Sequence, residues 1–289
     1  MQVKAKPGLT FLEERVRRGE ETNPLVLQFF ETAAAQELKA ARYHRINNHR
    51  RLKKEITETQ GIVNALTALL HPDTNPAPLH VIDLCCGKLS LTTTYLALLH
   101  PQVVITAVDK ISPDLLPHYP RDGSSEMPGG KEGEEGRGSG SGSEPALLKG
   151  DRVRYRQLDI MAEDFVSQLG GIVTEVGHPA CVLGMHLCGT LSLQAVKAFQ
   201  GVAEIGTILL SPCCLPSKTT GLPLFATTDQ DKQYRAWAHH LQGQLQEGGN
   251  TADVTCAYVE EIASPKNALI ATQKQEVLCL PCAPQGPSE

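Results

Sequence analysis

Apolar and polar positions along this chain follow each other in blocks that predict alternating strands and helices. Short apolar runs typical of buried strands occur in the central part at 81–85, 103–109, 153–160, 181–189 and 207–214. Apolar residues at helical intervals occur between and after these runs, at about 89–100, 162–169, 192–199 and 230–246. This alternation predicts a parallel sheet covered by helices. Two last runs, 254–262 and 268–274, are separated by a short turn and predict an antiparallel hairpin that completes the sheet.

The segments around this core divide the chain into further regions. Residues 1–23 are polar and are expected to be a flexible N-terminus. Residues 24–78 form a helical, partly basic extension of two helices or one long bent helix, which begins with Asn23 as a cap and Pro24 in the first turn. The α/β domain covers 79–278 and contains a disordered Gly/Ser/Glu insertion at 122–144, and 279–289 form a flexible tail.

Composition narrows the class of protein. The chain has 289 residues, of which 41% are hydrophobic, so one α/β domain with additions can bury a real core. Nine cysteines, no N-terminal apolar signal segment and no uninterrupted apolar stretch of about 18 residues indicate a soluble protein of a reducing compartment. We therefore expect the cytoplasm, or alternatively the nucleus, and no disulfides.

The net charge of the chain limits which binding partners are expected. The net charge of −5 gives no general attraction to nucleic acids or membranes, so neither a membrane nor DNA is expected as a partner. One basic stretch, from Lys39 to Lys54, carries seven Lys and Arg residues with no acid between Leu38 and Lys54. It is either a local RNA-binding surface or a solvated helix face.

The most informative motif is VIDLCCGK at 81–88. An apolar run ends at Asp83, a turn centred on Gly87 follows, and the next apolar run ends at Asp109 about 20 residues later. Gly87 lets the backbone approach a ligand, and Asp109 suits a bidentate grip on ribose hydroxyls. Cys85 and Leu89 stand where a pyrophosphate cradle would have further glycines. The pattern therefore favours S-adenosylmethionine, which has a ribose but no phosphates, over a dinucleotide.

The order of elements and three cysteine motifs resemble a known family. The sequence has D-x-C-C-G-K after the first strand, H-x-C-G at 186–189 after the fourth and P-C-C at 212–214 after the fifth. From Arg51 to Lys274 it resembles the class I methyltransferase branch that contains the eukaryotic tRNA acceptor-stem 2'-O-methyltransferase and the glutathione S-transferase C-terminal domain-containing protein. The resemblance implies a Rossmann-like α/β fold with a seven-stranded, mostly parallel sheet and a terminal antiparallel hairpin.

The resemblance also implies roles for individual residues. Asp159 would receive the adenine amino group, and Ile160 would pack on the ring. Lys88 could reach the methionine carboxylate or an incoming phosphate, or alternatively face solvent. The complete set of expected cofactor-binding residues is Asp83, Cys85, Gly87, Lys88, Asp109, Asp159 and Ile160.

The acceptor side is expected after the fourth strand. An amide or adenine amine acceptor usually meets an (Asp/Asn)-Pro-Pro-aromatic loop in this superfamily, but this chain has His186, Leu187, Cys188 and Gly189 instead. A histidine can accept a proton from a hydroxyl near neutral pH, which favours O-methylation. A strand-end histidine bound to a backbone carbonyl is the alternative. The expected acceptor-side residues are His186, Cys188 and Lys54.

The cysteines near the ends of the fourth and fifth predicted strands suggest a metal site as a secondary hypothesis. His186, Cys188, Cys213 and Cys214 could form a tetrahedral zinc set. Adjacent cysteines seldom bind one ion, and free cysteine is an ordinary small core residue, so packing is favoured and no metal site is predicted.

Together these observations predict an S-adenosylmethionine-dependent methyltransferase acting on RNA, tRNA-like, at a hydroxyl. The alternatives are a protein methyltransferase and a catalytically inactive fold that binds RNA or protein. The chain lacks the Cys/His-rich zinc modules of the tRNA enzyme, which argues against tRNA itself. A zinc-dependent deaminase is a third class, and the absence of its H-x-E signature argues against it.

Overall fold

The computed structural model describes residues 8–69, 79–113, 152–217, 227–248, 251, 253–264 and 266–274. Within them the backbone forms one seven-stranded sheet in the order β3-β2-β1-β4-β5-β7-β6. The strands are β1 His80–Leu84, β2 Val104–Asp109, β3 Val153–Gln157, β4 Ala180–Gly184, β5 Ile205–Leu210, β6 Thr255–Tyr258 and β7 Ala268–Gln273. The first five are parallel, and β7 lies antiparallel between β5 and β6.

Helices cover both faces of this sheet. They are α1 Leu9–Arg17, α2 Pro24–Phe30, α3 Ala33–Glu37, α4 His44–Asn47, α5 Leu52–Leu69, α6 Leu91–Leu99, α7 Phe165–Val176, α8 Leu191–Gly201 and α9 Gln230–Glu247. Neighbouring residues of one strand point to opposite faces. Val81 accordingly packs in the core under α1 to α6, whereas Ile82 packs in the core under α7 to α9. The result is a three-layer α/β/α arrangement.

This sheet confirms the predicted fold class. The order, with β7 reversed, is that of a Rossmann-like class I methyltransferase, and the terminal hairpin is present as predicted. Four strands end at least three residues before their apolar runs do: β3 at Gln157, β4 at Gly184, β5 at Leu210 and β6 at Tyr258. The runs continue because loop residues beyond the strands, such as Met185 and Leu187, are also buried.

The N-terminal extension differs from the prediction. Three short helices, α2 to α4, and one long helix, α5, replace the expected two helices or one long bent helix. Side-chain caps separate the short ones: the carboxamide oxygen of Asn23 accepts from the backbone of Leu25 and Val26, as predicted, and Thr32 Oγ1 accepts from Ala35 N. The Thr32 cap begins a new helix where a continuous one was expected.

Part of the segment expected to be flexible is ordered. Helix α1 lies within 1–23, and its Leu9 and Leu12 are buried in the core. The polar composition obscured these two residues, whose spacing places them on one helix face. The insertion at 122–144 and the tail at 279–289 lie outside the described residues. Among the helices that the structure describes, none combines the length and apolar character needed to span a bilayer.

Candidate functional site

The candidate site lies at the carboxyl ends of the parallel strands. Strand β1 has β2 on one side and β4 on the other, so the chain order reverses at β1. Helices that follow the strands then leave toward opposite faces, and a crevice opens between them where ligands of open α/β sheets bind. We call the ends of β1, β2 and β3 the cofactor half, and the ends of β4 and β5 the acceptor half.

The turn after β1 is fixed to the end of β2. Cys85 and Gly87 both adopt positive φ angles, 57° and 68°. The Gly87 amide donates to Asp109 Oδ2 at 2.9 Å, and Ile111 N donates to Asp109 Oδ1 at 3.1 Å. The space where a Cβ of Gly87 would stand has no atom within 4 Å. The turn thus leaves an open approach to backbone beside an oriented carboxylate.

Asp83 supports this turn from within the core. Its side chain is 2% exposed, and Thr93 Oγ1 of α6 donates to its carboxylate at 2.6 Å. Burial raises the pKa of Asp83 to about 6, although the bond from Thr93 acts in the opposite direction. Burial also raises the pKa of the Cys85 thiol to about 12. Asp83 is thus enclosed beneath the turn, and the thiol of Cys85 stays protonated near neutral pH.

The remaining predicted cofactor residues lie around the same edge. Asp159 follows β3, is exposed, and accepts from Met161 N at 2.9 Å with Oδ1. Ile160 is 5% exposed and belongs to the core under α7 to α9, so little of it can contact a ligand. Lys88 is exposed at the turn.

His186 in the acceptor half is paired with the N-terminal extension. Its Nε2 lies 3.4 Å from Glu55 Oε2 of α5. Burial lowers the pKa of His186, but the hydrogen bond and charge of Glu55 outweigh it and raise the pKa above its usual value. For Glu55, burial raises the pKa, and the bond and charge of His186 bring it below its usual value. Among the described residues, the Nε2 atom of His186 thus faces a carboxylate and not a backbone carbonyl.

Lys54 does not stand free at the mouth of the crevice. Its Nζ lies 2.6 Å from Glu58 Oε1, one turn further along α5. Glu58 is buried, which raises its pKa, and the ammonium of Lys54 partly compensates. Lys54 is thus engaged in an ion pair within the helix, and its acceptor-side role stays a prediction.

The basic stretch is largely neutralised by acids of the first 60 residues. Four of its seven cations form ion pairs, namely Lys39 with Glu13, Arg42 with Glu37, Lys53 with Glu21 and Lys54 with Glu58. Arg50 and Arg51 are exposed and have no ion pair within the part of the chain that the structure describes. Only a short part of the stretch therefore presents uncompensated charge.

Three cysteines of the acceptor half meet. Cys188 Sγ lies 3.0 Å from Cys213 Sγ and 3.4 Å from Cys214 Sγ, and the latter two are 3.7 Å apart. The contact with the Cys213 thiol lowers the pKa of Cys188, and the contact with Cys188 raises the pKa of Cys213. We call Cys188, Cys213 and Cys214 the sulfur cluster. His186 is not part of it.

Sequence reasoning missed Glu55 and Thr93 as site residues. Glu55 directly follows Lys54, but nothing along the chain connects α5 with the end of β4. Thr93 lies ten residues after Asp83, and only the return of α6 over β1 brings the two side chains together. An apolar groove of about 350 Å³ between α5 and strands β6 and β7 contains none of the predicted site residues.

Comparisons with known proteins give remote structural matches. No protein-family model and no curated protein matches the chain. An O-methyltransferase family protein from Burkholderia thailandensis is 12% identical, with a TM-score of 0.38, over 94% of this chain and 74% of that one. Human N-acetylserotonin methyltransferase in complex with SAM is 16% identical, with a TM-score of 0.33, over 92% of this chain and 66% of that one.

A third match is the fibrillarin pre-rRNA processing protein of Methanococcus jannaschii, 9% identical, with a TM-score of 0.37, over 68% of this chain and 66% of that one. Such matches do not single out the tRNA acceptor-stem branch that the cysteine motifs resemble. We therefore take the fold from the strand order and argue function from the geometry of the site.

Proposed function

We propose that this protein is an S-adenosylmethionine-dependent methyltransferase. The observation that carries the proposal is the bond from the Gly87 amide to Asp109, at the edge where the strand order reverses. It combines an open glycine turn with a carboxylate already oriented for a ribose, without a phosphate cradle. When bound, the cofactor supplies an electrophilic methyl group on its sulfonium.

The residues of the cofactor half fit such a ligand. The two oxygens of Asp109 offer about four acceptor sites, of which the amides of Gly87 and Ile111 use two. The remaining sites are available for two ribose hydroxyls. Asp159 has a second carboxylate oxygen for an exocyclic amine, and the exposed Lys88 carries the charge that a methionine carboxylate needs.

Calorimetric titration with S-adenosylhomocysteine tests the cofactor. Asp109→Ala removes charge-assisted hydrogen bonds of about 1.5–3 kcal/mol, so the dissociation constant should rise about 10- to 100-fold. Asp231→Ala, at an exposed position on α9, should leave it unchanged. If the wild type fails to bind, or if both variants bind like the wild type, the proposal fails.

For the acceptor we propose a hydroxyl, with His186 receiving its proton. Glu55 faces Nε2, which leaves Nδ1 as the ring nitrogen available to the acceptor. The bound cofactor would supply the methyl group to the acceptor oxygen, and His186 would receive the proton that the hydroxyl loses. Glu55 is a positioning residue that holds the imidazole at the end of β4.

For the substrate we propose RNA, in line with the tRNA-like resemblance. Arg50 and Arg51 immediately precede α5, and Glu55, which touches His186, lies one helical turn further on, about 6 Å along the axis. Two cations at this distance can hold a phosphate backbone beside the acceptor half without reading its sequence.

Binding of total tRNA at several salt concentrations tests the substrate. Replacing Arg50 and Arg51 with Glu should weaken binding by at least about tenfold and reduce the salt slope by about two. A matched control, Lys197 and Lys232 to Glu, changes two exposed cations on α8 and α9, on the other face of the sheet. Equal losses of RNA affinity in both double variants would show that Arg50 and Arg51 have no specific role in RNA binding.

Methyl transfer from labelled cofactor to fractionated extract separates the remaining alternatives. Label in RNA supports the proposal, and label in protein shows a protein methyltransferase instead. Binding of cofactor and RNA without any transfer identifies an inactive fold that acts as a binding module.

A further inference from the structure

The sulfur cluster has the geometry of a metal site. A zinc ion with bonds of about 2.3 Å places tetrahedral sulfur ligands about 3.8 Å apart. The three sulfurs of the cluster are separated by 3.0, 3.4 and 3.7 Å, so a shift of a few tenths of an ångström in two of them accommodates the ion. A disulfide would require about 2.05 Å, which none of the three pairs approaches.

The backbone builds this cluster independently of the sulfurs. Cys188 and Cys214 are paired as a parallel bridge that extends β4 and β5, and Gly189 N donates to Cys214 O at 3.2 Å. Gly189 has a φ of 58°, and a Cβ there would lie 3.3 Å from Pro216 Cα. Tyr234 of α9 donates to Pro212 O at 2.9 Å and so fixes the other side of the segment. The loops therefore hold the ligands in place before any ion arrives.

Adjacent cysteines are able to share one ion here. Neighbouring residues of a strand point to opposite faces, which would separate two consecutive sulfurs. Strand β5 ends at Leu210, however, and Cys213 and Cys214 lie beyond it, where Cys214 makes an isolated bridge but the regular strand does not continue. Both sulfurs approach Cys188 as a result, which removes the objection that the sequence raised against a metal.

Packing does not explain these three cysteines. Cys86 and Cys181 are buried and behave as small core residues. Cys188 is exposed, whereas Cys213 and Cys214 are half-buried, so the cluster opens to solvent. Three thiolates around a divalent ion leave about one excess negative charge. The positive charge of Lys266 is close enough to act on both Cys188 and Cys214, in the direction that lowers the pKa of each thiol.

We propose that Cys188, Cys213 and Cys214 bind one zinc ion through their thiolates, with the fourth coordination position open to solvent. Three protein ligands and one open position are the arrangement of reactive rather than purely structural zinc sites. The site lies next to His186 in sequence and in the same half of the crevice. It does not depend on the proposed methyl transfer, since its ligands are distinct from the cofactor half.

Metal analysis of the purified full chain tests this site. We expect about one zinc ion per chain after purification under reducing conditions. Replacement by cobalt should produce the thiolate-to-metal charge-transfer absorption of a tetrahedral sulfur site. Cys188→Ser and Cys214→Ser should each lower zinc affinity by at least about tenfold, measured by competition with a chromophoric chelator.

Two controls keep the result specific. Cys256→Ser changes a half-buried cysteine outside the cluster and should retain the ion. Cys279 and Cys282 form a separate C-x-x-C, so their double replacement with Ser should also retain it. Circular dichroism shows whether each variant folds, and the cobalt spectrum of the wild type needs no variant.

Three results would overturn the proposal. The first is a wild-type protein that takes up neither zinc nor cobalt. The second is zinc that follows Cys279 and Cys282 instead of the cluster. The third is a Cys188–Cys213 disulfide found by mass spectrometry in protein kept under reducing conditions, which would identify a redox pair.

Discussion

The two halves of the crevice use different chemistry on the same sheet edge. The cofactor half presents oxygens and backbone amides: the carboxylates of Asp109 and Asp159 beside the Gly87 turn. The acceptor half presents nitrogen and sulfur: His186 and the sulfur cluster. Carboxylates suit the hydroxyls and amine of a nucleoside, whereas imidazole and thiolates suit proton transfer and soft metals. One part of this sheet edge is thus suited to binding a nucleoside, and the other part is suited to proton transfer and metal binding.

The halves also differ in how they are held together. In the cofactor half, the turn after β1 bonds directly to the end of β2, its neighbour in the sheet. In the acceptor half, Glu55 of α5 reaches His186 from the N-terminal extension, and Tyr234 of α9 holds the segment after β5. A change in α5 or α9 can therefore alter the acceptor half while the cofactor half remains intact.

The largest expected effect comes from His186→Ala. Loss of the group that receives the proton should lower kcat for methyl transfer to RNA by about 10²- to 10⁴-fold, while the affinity for S-adenosylhomocysteine stays the same. Glu55→Gln should give a smaller loss of kcat, and His239→Ala, at an exposed position on α9, should give none. A loss of cofactor affinity in His186→Ala would show that the two halves are not separate.

The next effect concerns Asp83 in the cofactor half. Its pKa is raised from 3.8 to about 6 in the folded protein, so folding favours the protonated form and stability declines as the pH rises through this window. Thr93→Val removes a donor to the carboxylate, which matters most when the carboxylate is ionised. The variant should lose about 1.5–3 kcal/mol of unfolding free energy at pH 8 and less at pH 4.5.

A neighbouring threonine provides the control for this measurement. Thr94 is also buried, but its hydroxyl donates to the neutral carbonyl of Ser90 at 2.8 Å. Chemical denaturation of Thr94→Val should therefore show a loss that does not change with pH. The interpretation of Asp83 would be refuted by equal losses for Thr93→Val at the two pH values.

The smallest expected effects are changes in stability when one glycine of each half is replaced by alanine. Gly87 and Gly189 both have positive φ angles, so an alanine at either position should cost about 1–2 kcal/mol in backbone strain. Gly189→Ala should be the more destabilising, because its Cβ also meets Pro216, whereas the space around Gly87 is open. Gly243→Ala in α9, which has neither constraint, should stabilise by about 0.5–1 kcal/mol. Thermal unfolding of the three variants ranks their stabilities. A Gly87→Ala variant less stable than Gly189→Ala would contradict this prediction.

Much of the fold was predictable because it depends on local patterns. Apolar runs and helical intervals located all seven strands and the helices that cover them, and Asn23 was recognised as a cap. The N-terminal extension was predicted less well. Its short helices end at caps and turns whose strength depends on where each segment packs, as the buried Leu9 and Leu12 show.

The candidate site also has a part that local sequence patterns predict and a part that depends on packing. The sequence by itself determined where Asp83, Gly87 and Asp109 lie, because they stand at the ends of consecutive strands that pair in the sheet, and strand-end positions follow from periodicity. Only the tertiary structure decided the acceptor half. The contact of Glu55 with His186 and the meeting of Cys188 with Cys213 and Cys214 join residues 131 and about 25 positions apart. Such contacts depend on how helices and loops pack over the sheet, which no local pattern of the sequence specifies.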